Sequence, residues 1–153
     1  MGKYFEVEDP YEAIDRYLPE NNRSEVIDIN SNKIVLDAYN ANPASMQAAL
    51  KNLVEMKGEK KIVLLGEMKE LGEYSGDEHR KIVELAHELG LSQALWVGEG
   101  FEKVISEKEK CFMNVNELSD HLEQNPLQGA TVLIKGSRST QMEKLTQNKK
   151  IWT

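Results

Sequence analysis

The stretch "KIVLLG" at residues 61–66 is apolar at nearly every position and has the length of a strand. "TVLI" at residues 131–134 repeats the pattern near the other end of the chain. A run that is apolar on both faces is typical of a parallel strand covered by helices on each side. Because strand-like and helix-like segments alternate between the two runs, the sequence predicts an open, doubly wound α/β sheet.

A predicted helix lies upstream of the first run. Its apolar residues recur at the spacing that places them on one face: Met46, Ala49, Leu50, Leu53 and Val54. Asn42 can cap this helix, and Pro43 suits its first position because a backbone N–H there would have no helical partner. Gly58 is expected to end it.

Further segments complete the fold prediction. "ALWVG" and "CFMNV" predict strands, and helices are expected from about residue 76 to 89, over "NELSDHLEQN", and from about Ser139 onward. "EVIDI" and "KIVLD" flank "NSN" and predict a β-hairpin. The predicted fold class is therefore α/β, with a Rossmann-like, open, mostly parallel sheet, helices on both faces and a preceding β-hairpin.

Composition narrows the class of protein. With 153 residues, 40% of them hydrophobic and 29% charged, the chain can form one globular domain with a full core. A net charge of −7 argues against a nucleic-acid partner. No apolar run approaches the roughly 20 residues that span a bilayer, so no membrane association is expected. The single cysteine, Cys111, fits a reducing cytoplasm and is expected to be a buried thiol.

Metal chemistry is not predicted by the histidines. His79 and His87 lie on one predicted helix and His121 on another, without the HExxH spacing of a zinc site. We therefore expect no metal site formed by histidines in this chain.

The predicted architecture indicates where a site would lie. In open α/β sheets, ligands bind beyond the carboxyl ends of the strands. Four polar loops leave those ends: "DAYNANP", "GEMKELGEYSGDEH", "VGEGF" and "KGSRS". We expect them to converge at one edge of the sheet.

The "KGSRS" loop, residues 135–139, has the features of an anion site. It follows a buried strand, is predicted to begin a helix, and carries the cations Lys135 and Arg138. The alternative is a serine-capped helix with exposed cations. No Walker P-loop, GxxxxGK[ST], is present in the sequence, and the two glycines of "GEGF" are a weak dinucleotide signal.

For single residues of the other loops, the sequence leaves both a functional and a purely structural interpretation open. Asp37 could accept hydrogen bonds from a ribose or hold a metal, or could only form a turn. Tyr39 could contact a ligand or pack against the protein. Glu67 and Glu70 belong to an acidic loop in which the spacing selects no pair for acid–base work.

Together the loops resemble those of a known family. "NNRS", "DAYNANPASM", "LGEMKELGEYSGDEH" and "IKGSRSTQMEKL" are similar, in order and spacing, to the C-terminal domain of a Mur ligase. The similarity is greatest to the ligases that add D-alanyl-D-alanine to UDP-N-acetylmuramoyl-tripeptide. It extends from about residue 17 to the end, and one departure is Glu67, where a common form has aspartate. Residues 1–20 resemble the tail of the central ATP-binding domain, and 21–153 the C-terminal domain.

The resemblance implies roles for individual residues. Arg23 is expected to contact a phosphate of ATP and Asp37 its ribose, with Tyr39 and Asn40 on the same ATP-binding loop. Asn40 and Asn42 are expected to shape that loop. The amino substrate is expected to be bound by Lys135, Gly136, Ser137, Arg138 and Ser139. Further candidate loop residues are Asn42, Glu67, Glu70 and His79.

The implied reaction is ATP-dependent amide formation in peptidoglycan precursor synthesis, the process on which cell-wall formation, cell shape and cell division depend. The implied partners are D-alanyl-D-alanine, UDP-N-acetylmuramoyl-tripeptide, and the N-terminal and central domains of a longer chain. ATP and Mg²⁺ would be bound mainly by those domains, so no cofactor is expected in this chain alone. The sequence assigns no catalytic base.

The alternative hypothesis is a non-enzymatic α/β module, such as a receiver-like signalling domain. A receiver also places an aspartate after an early strand and a lysine after the last one, as Asp37 and Lys135 are placed. It further needs an acceptor aspartate after its middle strand, where this chain offers only Glu99. Phosphate uptake from a small phosphodonor would favour the receiver.

Overall fold

The computed structural model describes residues 25–38 and 41–153. The predictions for the tail at residues 1–20, for Arg23, and for Tyr39 and Asn40 concern positions outside the described residues. The elements, in chain order, are β1 (Glu25–Ile29), β2 (Asn32–Asp37), α1 (Pro43–Glu55), β3 (Lys61–Gly66), α2 (Ser75–Glu88), β4 (Gln93–Val97), α3 (Glu99–Glu102), β5 (Lys110–Phe112), α4 (Val115–Gln124) and β6 (Thr131–Lys135), with 3₁₀ segments at Gly72–Tyr74, Arg138–Thr140, Met142–Gln147 and Lys149–Ile151.

Within the described residues the strands form a six-stranded sheet in the order β1-β2-β6-β3-β4-β5. β1 pairs with β2 antiparallel, and every other pairing in this sheet is parallel. The chain runs outward through β3, β4 and β5 and then returns to insert β6 between β2 and β3. The prediction of a mostly parallel sheet that begins with a hairpin is confirmed.

Apolar residues cover both faces of the sheet, as the continuous runs predict. On one face, Val63 and Leu65 of β3 pack in a cluster with α1, α2 and α3. On the other face, Ile62 and Leu64 pack with α4 and the C-terminal 3₁₀ segments. Alternate residues of one strand thus face opposite layers, which is why β3 and β6 lack polar positions in their middle.

Helix α1 begins as the sequence predicts. The Asn42 side chain accepts a hydrogen bond from the Ser45 N–H (2.9 Å), and the Ser45 hydroxyl oxygen accepts one from the Asn42 N–H (3.0 Å). This reciprocal pair satisfies two N–H groups that a helix start leaves without partners. Gly58 is not the residue that ends the helix, because α1 stops at Glu55 and Gly58 lies in the turn before β3.

The predicted C-terminal α-helix is wrong. The segment after β6 forms 3₁₀ turns, interrupted by Gln141 in a left-handed conformation (φ 55°, ψ 41°). Tertiary contacts hold this shape: the Trp152 indole N–H donates to the Leu145 carbonyl (2.9 Å), and the Asn148 side chain donates to Ser119 and Glu123 of α4. The helix dipole invoked for the "KGSRS" loop is therefore absent from this part of the described chain.

Two smaller differences concern the β4–α4 region. "VGEGF" contains the short helix α3, which the sequence did not predict. β5 ends at Phe112, earlier than expected, because Asn114 leaves the strand to cap α4 and accepts a hydrogen bond from the Glu117 N–H (3.0 Å). Of the described helices, none combines the length and apolar character needed to cross a membrane.

The Asn42 cap yields a stability prediction. Asn42→Ala should lower the free energy of unfolding by about 1 kcal/mol, because the Ser45 N–H at the start of α1 loses its acceptor, the Asn42 side-chain oxygen. Urea unfolding followed by circular dichroism measures this. Asn52→Ala, an exposed position inside the same helix, is the matched control and should be neutral or slightly stabilising. Equal losses in both variants would contradict the capping role.

Candidate functional site

The carboxyl ends of β2, β6, β3 and β4 lie side by side. Asp37 of β2 and Leu65 of β3 are both register partners of Lys135 in β6, and Gly66 pairs with Val97 of β4. The four polar loops therefore leave the sheet at one edge, as the sequence predicts. β6 occupies the middle of that edge, with the Asp37 loop on one side and the Glu67 loop on the other.

Lys135 and Asp37 form an ion pair on the first side of β6. The Lys135 Nζ atom lies 2.8 Å from Asp37 Oδ2, and the lysine side chain is 1% exposed against 16% for the aspartate. Because the lysine is enclosed and already pairs with a carboxylate, the structure does not support a direct contact between Lys135 and an amino substrate.

Glu67 connects three of the loops on the second side of β6. Its carboxylate accepts a hydrogen bond from the Gly100 N–H (3.1 Å) and pairs with Lys69 (3.2 Å). Its backbone carbonyl accepts a hydrogen bond from the Ser137 N–H (3.2 Å). The Glu67 side chain thus joins the β3 and β4 loops, and its backbone carbonyl joins them to the β6 loop, although the sequence did not single out this residue within its acidic loop.

Gly136 allows the β3 and β6 loops to approach closely. A Cβ atom at Gly136 would lie 2.9 Å from the Gly66 Cα and 2.7 Å from the Thr140 hydroxyl oxygen. That hydroxyl donates to the Ser137 carbonyl at 2.6 Å, and Ser137 is buried. Gly136 and Ser137 therefore shape the "KGSRS" loop, whereas Arg138 and Ser139 are exposed.

His79 has a structural environment. The Met68 N–H donates to its Nε2 atom (2.9 Å), so Nδ1 carries the proton and donates to the Ser75 carbonyl (2.7 Å). The ring is fully buried and packs edge-on against Phe101. Burial lowers the pKa of His79, although the hydrogen bond to Ser75 acts in the opposite direction. The imidazole is thus a neutral support for the "GEMKELG" loop.

Two concave regions flank the end of β6. The first, here called the hairpin groove, has a volume of about 390 Å³ between α1 and the β1–β2 hairpin, and Asp37 is part of its lining. Its remaining wall is mostly apolar and includes Val26, Val35 and Leu133, with the polar residues Ser45 and Asn52.

The second region, here called the edge pocket, has a volume of about 220 Å³. It combines one carboxylate, two cations, polar side chains and an apolar wall. Its lining residues are Glu67, Lys69, Val97, Met113, Asn114, Val115, Asn116, Ser139, Thr140, Gln141 and Lys144. Ser139 and Glu67 are the predicted site residues that the structure brings together here.

Several residues of the edge pocket were not predicted. Lys144 follows the "KGSRS" motif inside a segment that the sequence assigned to a regular helix, and Asn116 lies in the first turn of α4. Gln141 lines the pocket and Glu70 does not, but both are non-glycine residues with a positive φ (55° and 64°), a backbone conformation that the sequence did not predict. Asn42 caps α1 and lies outside the residues that line this pocket.

Cys111 is unsuited to nucleophilic chemistry. Burial raises the pKa of its thiol to about 11, and Glu102 acts in the same direction. The thiol contacts the Gly98 carbonyl at 3.4 Å. Over the described ranges, no three His, Cys, Asp or Glu residues are grouped in a way that could hold a metal ion.

Comparison with known proteins assigns the family. Residues 22–138 match the model of the Mur ligase family described as its glutamate ligase domain. The chain belongs to the Mur ligase family. The match covers the first three edge loops of this Mur ligase domain and the fourth as far as Arg138, and it decides against the receiver-like alternative.

Individual relatives agree with this assignment. The UDP-N-acetylmuramoyl-tripeptide–D-alanyl-D-alanine ligase of Rickettsia prowazekii is 33% identical over 151 residues, which is 95% of this Mur ligase domain and 33% of the relative. The enzyme of the same name from Buchnera aphidicola (strain APS) is 37% identical over 131 residues, or 82% and 29%. The chain thus spans about a third of the length of these relatives.

Solved structures match as well. A MurF crystal structure from Acinetobacter baumannii superposes with a TM-score of 0.73 at 31% identity, covering 87% of this Mur ligase domain and 30% of that chain. MurF ligase from Thermotoga maritima, crystallised in complex with ADP, has a TM-score of 0.72 at 27% identity, covering 86% and 31%.

Gly98 offers a test of the Glu67 arrangement. Its backbone (φ 106°, ψ 157°) is in a region that is almost exclusive to glycine, and a Cβ atom would lie 2.5 Å from the Glu67 carboxyl carbon. Gly98→Ala should therefore lower the free energy of unfolding by at least about 1–3 kcal/mol. Gly76→Ala is the matched control, since Gly76 is helical, exposed and has open space around it. Chemical denaturation of both variants measures the difference, and a tolerated Gly98→Ala would refute the arrangement.

His79 yields a pH prediction. The unfolded chain protonates this histidine near pH 6.5, whereas the folded chain does so only at lower pH. The unfolded state therefore binds more protons below pH 6.5, and stability should fall as the pH decreases from there toward the folded-state pKa of His79. His79→Gln retains a donor and an acceptor but does not titrate, so its stability should fall less.

Unfolding free energies at about pH 7.5 and about pH 5.5 test this expectation. His121, whose pKa is also lowered by burial and by Lys110, leaves a residual pH dependence in the variant. An identical loss in His79→Gln and in the wild type would show that His79 is not the responsible group.

Proposed function

We propose that this chain is the C-terminal domain of the ATP-dependent ligase that adds D-alanyl-D-alanine to UDP-N-acetylmuramoyl-tripeptide in cytoplasmic peptidoglycan precursor synthesis. The observation that carries the proposal is that Asp37 and the edge pocket lie on opposite sides of the end of β6, so that a nucleotide and an amine could be bound at one edge. The relatives that match 82–95% of the chain bear the name of this enzyme.

In this proposal, different domains of the complete ligase bind different substrates. Residues 1–20 would be the tail of the central ATP-binding domain, and 21–153 the domain that closes over ATP. ATP, Mg²⁺ and the UDP-sugar would be bound mainly by the other domains. On this basis the 153-residue chain folds but does not catalyse ligation, because its own residues supply only part of the site.

On the nucleotide side, Arg23 and Asp37 would contact a phosphate and the ribose of ATP, with Tyr39 and Asn40 on the same loop. The position of Asp37 supports this assignment. Its carboxylate lines the hairpin groove and is partly exposed, so it can accept hydrogen bonds from ribose hydroxyls while Lys135 holds its other side.

On the amine side, the edge pocket would hold the dipeptide. Lys69, Lys144 and the Ser139 hydroxyl are suited to a carboxylate, and Val97 and Met113 provide apolar surface for the two methyl groups. Glu67 would attract the ammonium form of the dipeptide. Gly136 and Ser137 would act through the shape of the loop, and Lys135 leaves the set of residues that contact the amino substrate.

The reaction class assigns the domain a role in orientation. When a substrate carboxylate is activated as an acyl phosphate, the free amine of the dipeptide must approach it along a defined direction. Binding the dipeptide at the edge pocket while Asp37 binds the nucleotide would bring the two reactants together. This is catalysis by positioning and electrostatic stabilisation.

Kinetics of the complete ligase that carries this domain test the two sides separately. Asp37→Asn should raise the KM for ATP or lower kcat by roughly 10- to 150-fold, since the ribose hydroxyls lose a charged acceptor. Asparagine still offers an oxygen to the buried Lys135 ammonium group. Lys144→Met should raise the KM for D-alanyl-D-alanine by roughly 3- to 10-fold and leave the KM for ATP unchanged. Lys51→Met, on the exposed surface of α1, is the control and should resemble the wild type.

A binding experiment with the 153-residue chain tests the pocket itself. In an NMR titration of the ¹⁵N-labelled chain, D-alanyl-D-alanine should shift the amides of Asn116, Ser139 and Gln141 more than L-alanyl-L-alanine does. Lys144→Met should weaken the effect. Shifts confined to the hairpin groove, or equal effects of both enantiomers, would place the amino substrate elsewhere.

A further inference from the structure

Lys135 is a charged residue in an otherwise apolar strand. The preceding residues of β6, Val132, Leu133 and Ile134, are buried and apolar, and Lys135 itself is 1% exposed. Removing an ammonium group from water is costly unless a carboxylate compensates for it. The parallel register, which places Asp37 directly beside Lys135, supplies that carboxylate at 2.8 Å.

Stability alone is a weak reason for this pair. Buried ion pairs can often be replaced by apolar residues of similar volume with no loss of stability, or even a gain. The pair lies at the end of β6, where the strand is already surrounded by apolar side chains of both clusters. A charged side chain at this position therefore calls for a function beyond packing.

The geometry of the pair is asymmetric. Asp37 lines the hairpin groove, and Lys135 does not. The aspartate side chain is also the more exposed of the two, at 16%. The carboxylate is thus the member of the pair that lines the groove, and fixing Oδ2 on Lys135 limits the directions in which the carboxylate can rotate.

We propose that Lys135 is a positioning residue, which orients the Asp37 carboxylate toward a nucleotide in the hairpin groove. This inference rests on the proposed function, in which Asp37 contacts the ribose of ATP. It differs from the expectation drawn from the sequence, because it moves Lys135 from the amine side of β6 to the nucleotide side. Lys135 acts through Asp37 and does not touch the dipeptide.

A double-mutant cycle in the complete ligase tests the proposal. Lys135→Met removes the charge and retains much of the length of the side chain. It should raise the KM for ATP about 10-fold, the lower end of what losing a hydrogen bond to a charged group produces. The KM for D-alanyl-D-alanine should stay within about twofold, a change too small to indicate a lost charged contact. In an Asp37→Asn background, Lys135→Met should have little further effect, because the group that it positions has already been altered.

Controls separate this role from a structural one. Lys144→Met should show the opposite pattern, with a raised KM for D-alanyl-D-alanine and an unchanged KM for ATP. Lys51→Met should change neither. Should Lys135→Met fold poorly, Lys135→Gln provides a second variant that keeps a donor but loses the charge, and it should show the same split between the two substrates at smaller amplitude.

Three outcomes would overturn the inference. The first is a raised KM for D-alanyl-D-alanine with an unchanged KM for ATP, which would return Lys135 to the amine side. The second is the same fold-change in the Asp37→Asn background as in the wild type. The third is wild-type kinetics in both Lys135 variants. Failure of the proposed function would give a different result. If the complete enzyme consumes ATP but uses a different amine, the dipeptide assignment is refuted. The KM for ATP of the Lys135 variants still tests the role of Lys135 in that enzyme.

Discussion

The position of β6 between β2 and β3 is the constraint on which the rest of the structure depends. Hydrogen bonds to both neighbours place Asp37, Lys135 and Leu65 in register at one edge. Neither side of the proposed site could form without this insertion, because the Asp37 loop and the Glu67 loop each use β6 as their neighbour. The close approach of Gly136 to Gly66 extends the same contact beyond the strands.

The charged residues on the two sides of β6 differ in their exposure to water. On the hairpin side, a lysine and an aspartate are paired and largely enclosed. On the other side, Lys69 and Lys144 line an open pocket with Glu67, where water screens them and a ligand can reach them. A buried charge is fixed in place by its partner, whereas a solvated one can exchange water for a ligand. This difference underlies the assignment of positioning to Lys135 and of ligand binding to the exposed lysines.

The C-terminal segment shows how tertiary contacts can override a local pattern. Trp152 is buried and donates to Leu145, and its carbonyl accepts a hydrogen bond from the Asn30 side chain (2.7 Å). Buried Asn32 donates to Leu127 and accepts from the Ala130 N–H. The bond from Asn30 joins the end of the chain to the hairpin, and the bonds from the Asn148 side chain join it to α4. A regular helix from Ser139 could not make all of them, and its helical spacing in the sequence was therefore misleading.

The sequence by itself determined the α/β class, the order of the strands along the chain, the Asn42 cap and the edge at which the polar loops meet. These follow from periodicity, from turn chemistry and from apolar runs, which are local properties. Only the tertiary structure decided that Lys135 pairs with Asp37, that Glu67 joins three loops, that His79 is a neutral buried support and that Lys144 faces a pocket. The physical reason is that burial and pairing depend on which strands become neighbours. β6 pairs with β2 and β3, which are far from it in the sequence, and no local pattern predicts pairing between such distant segments.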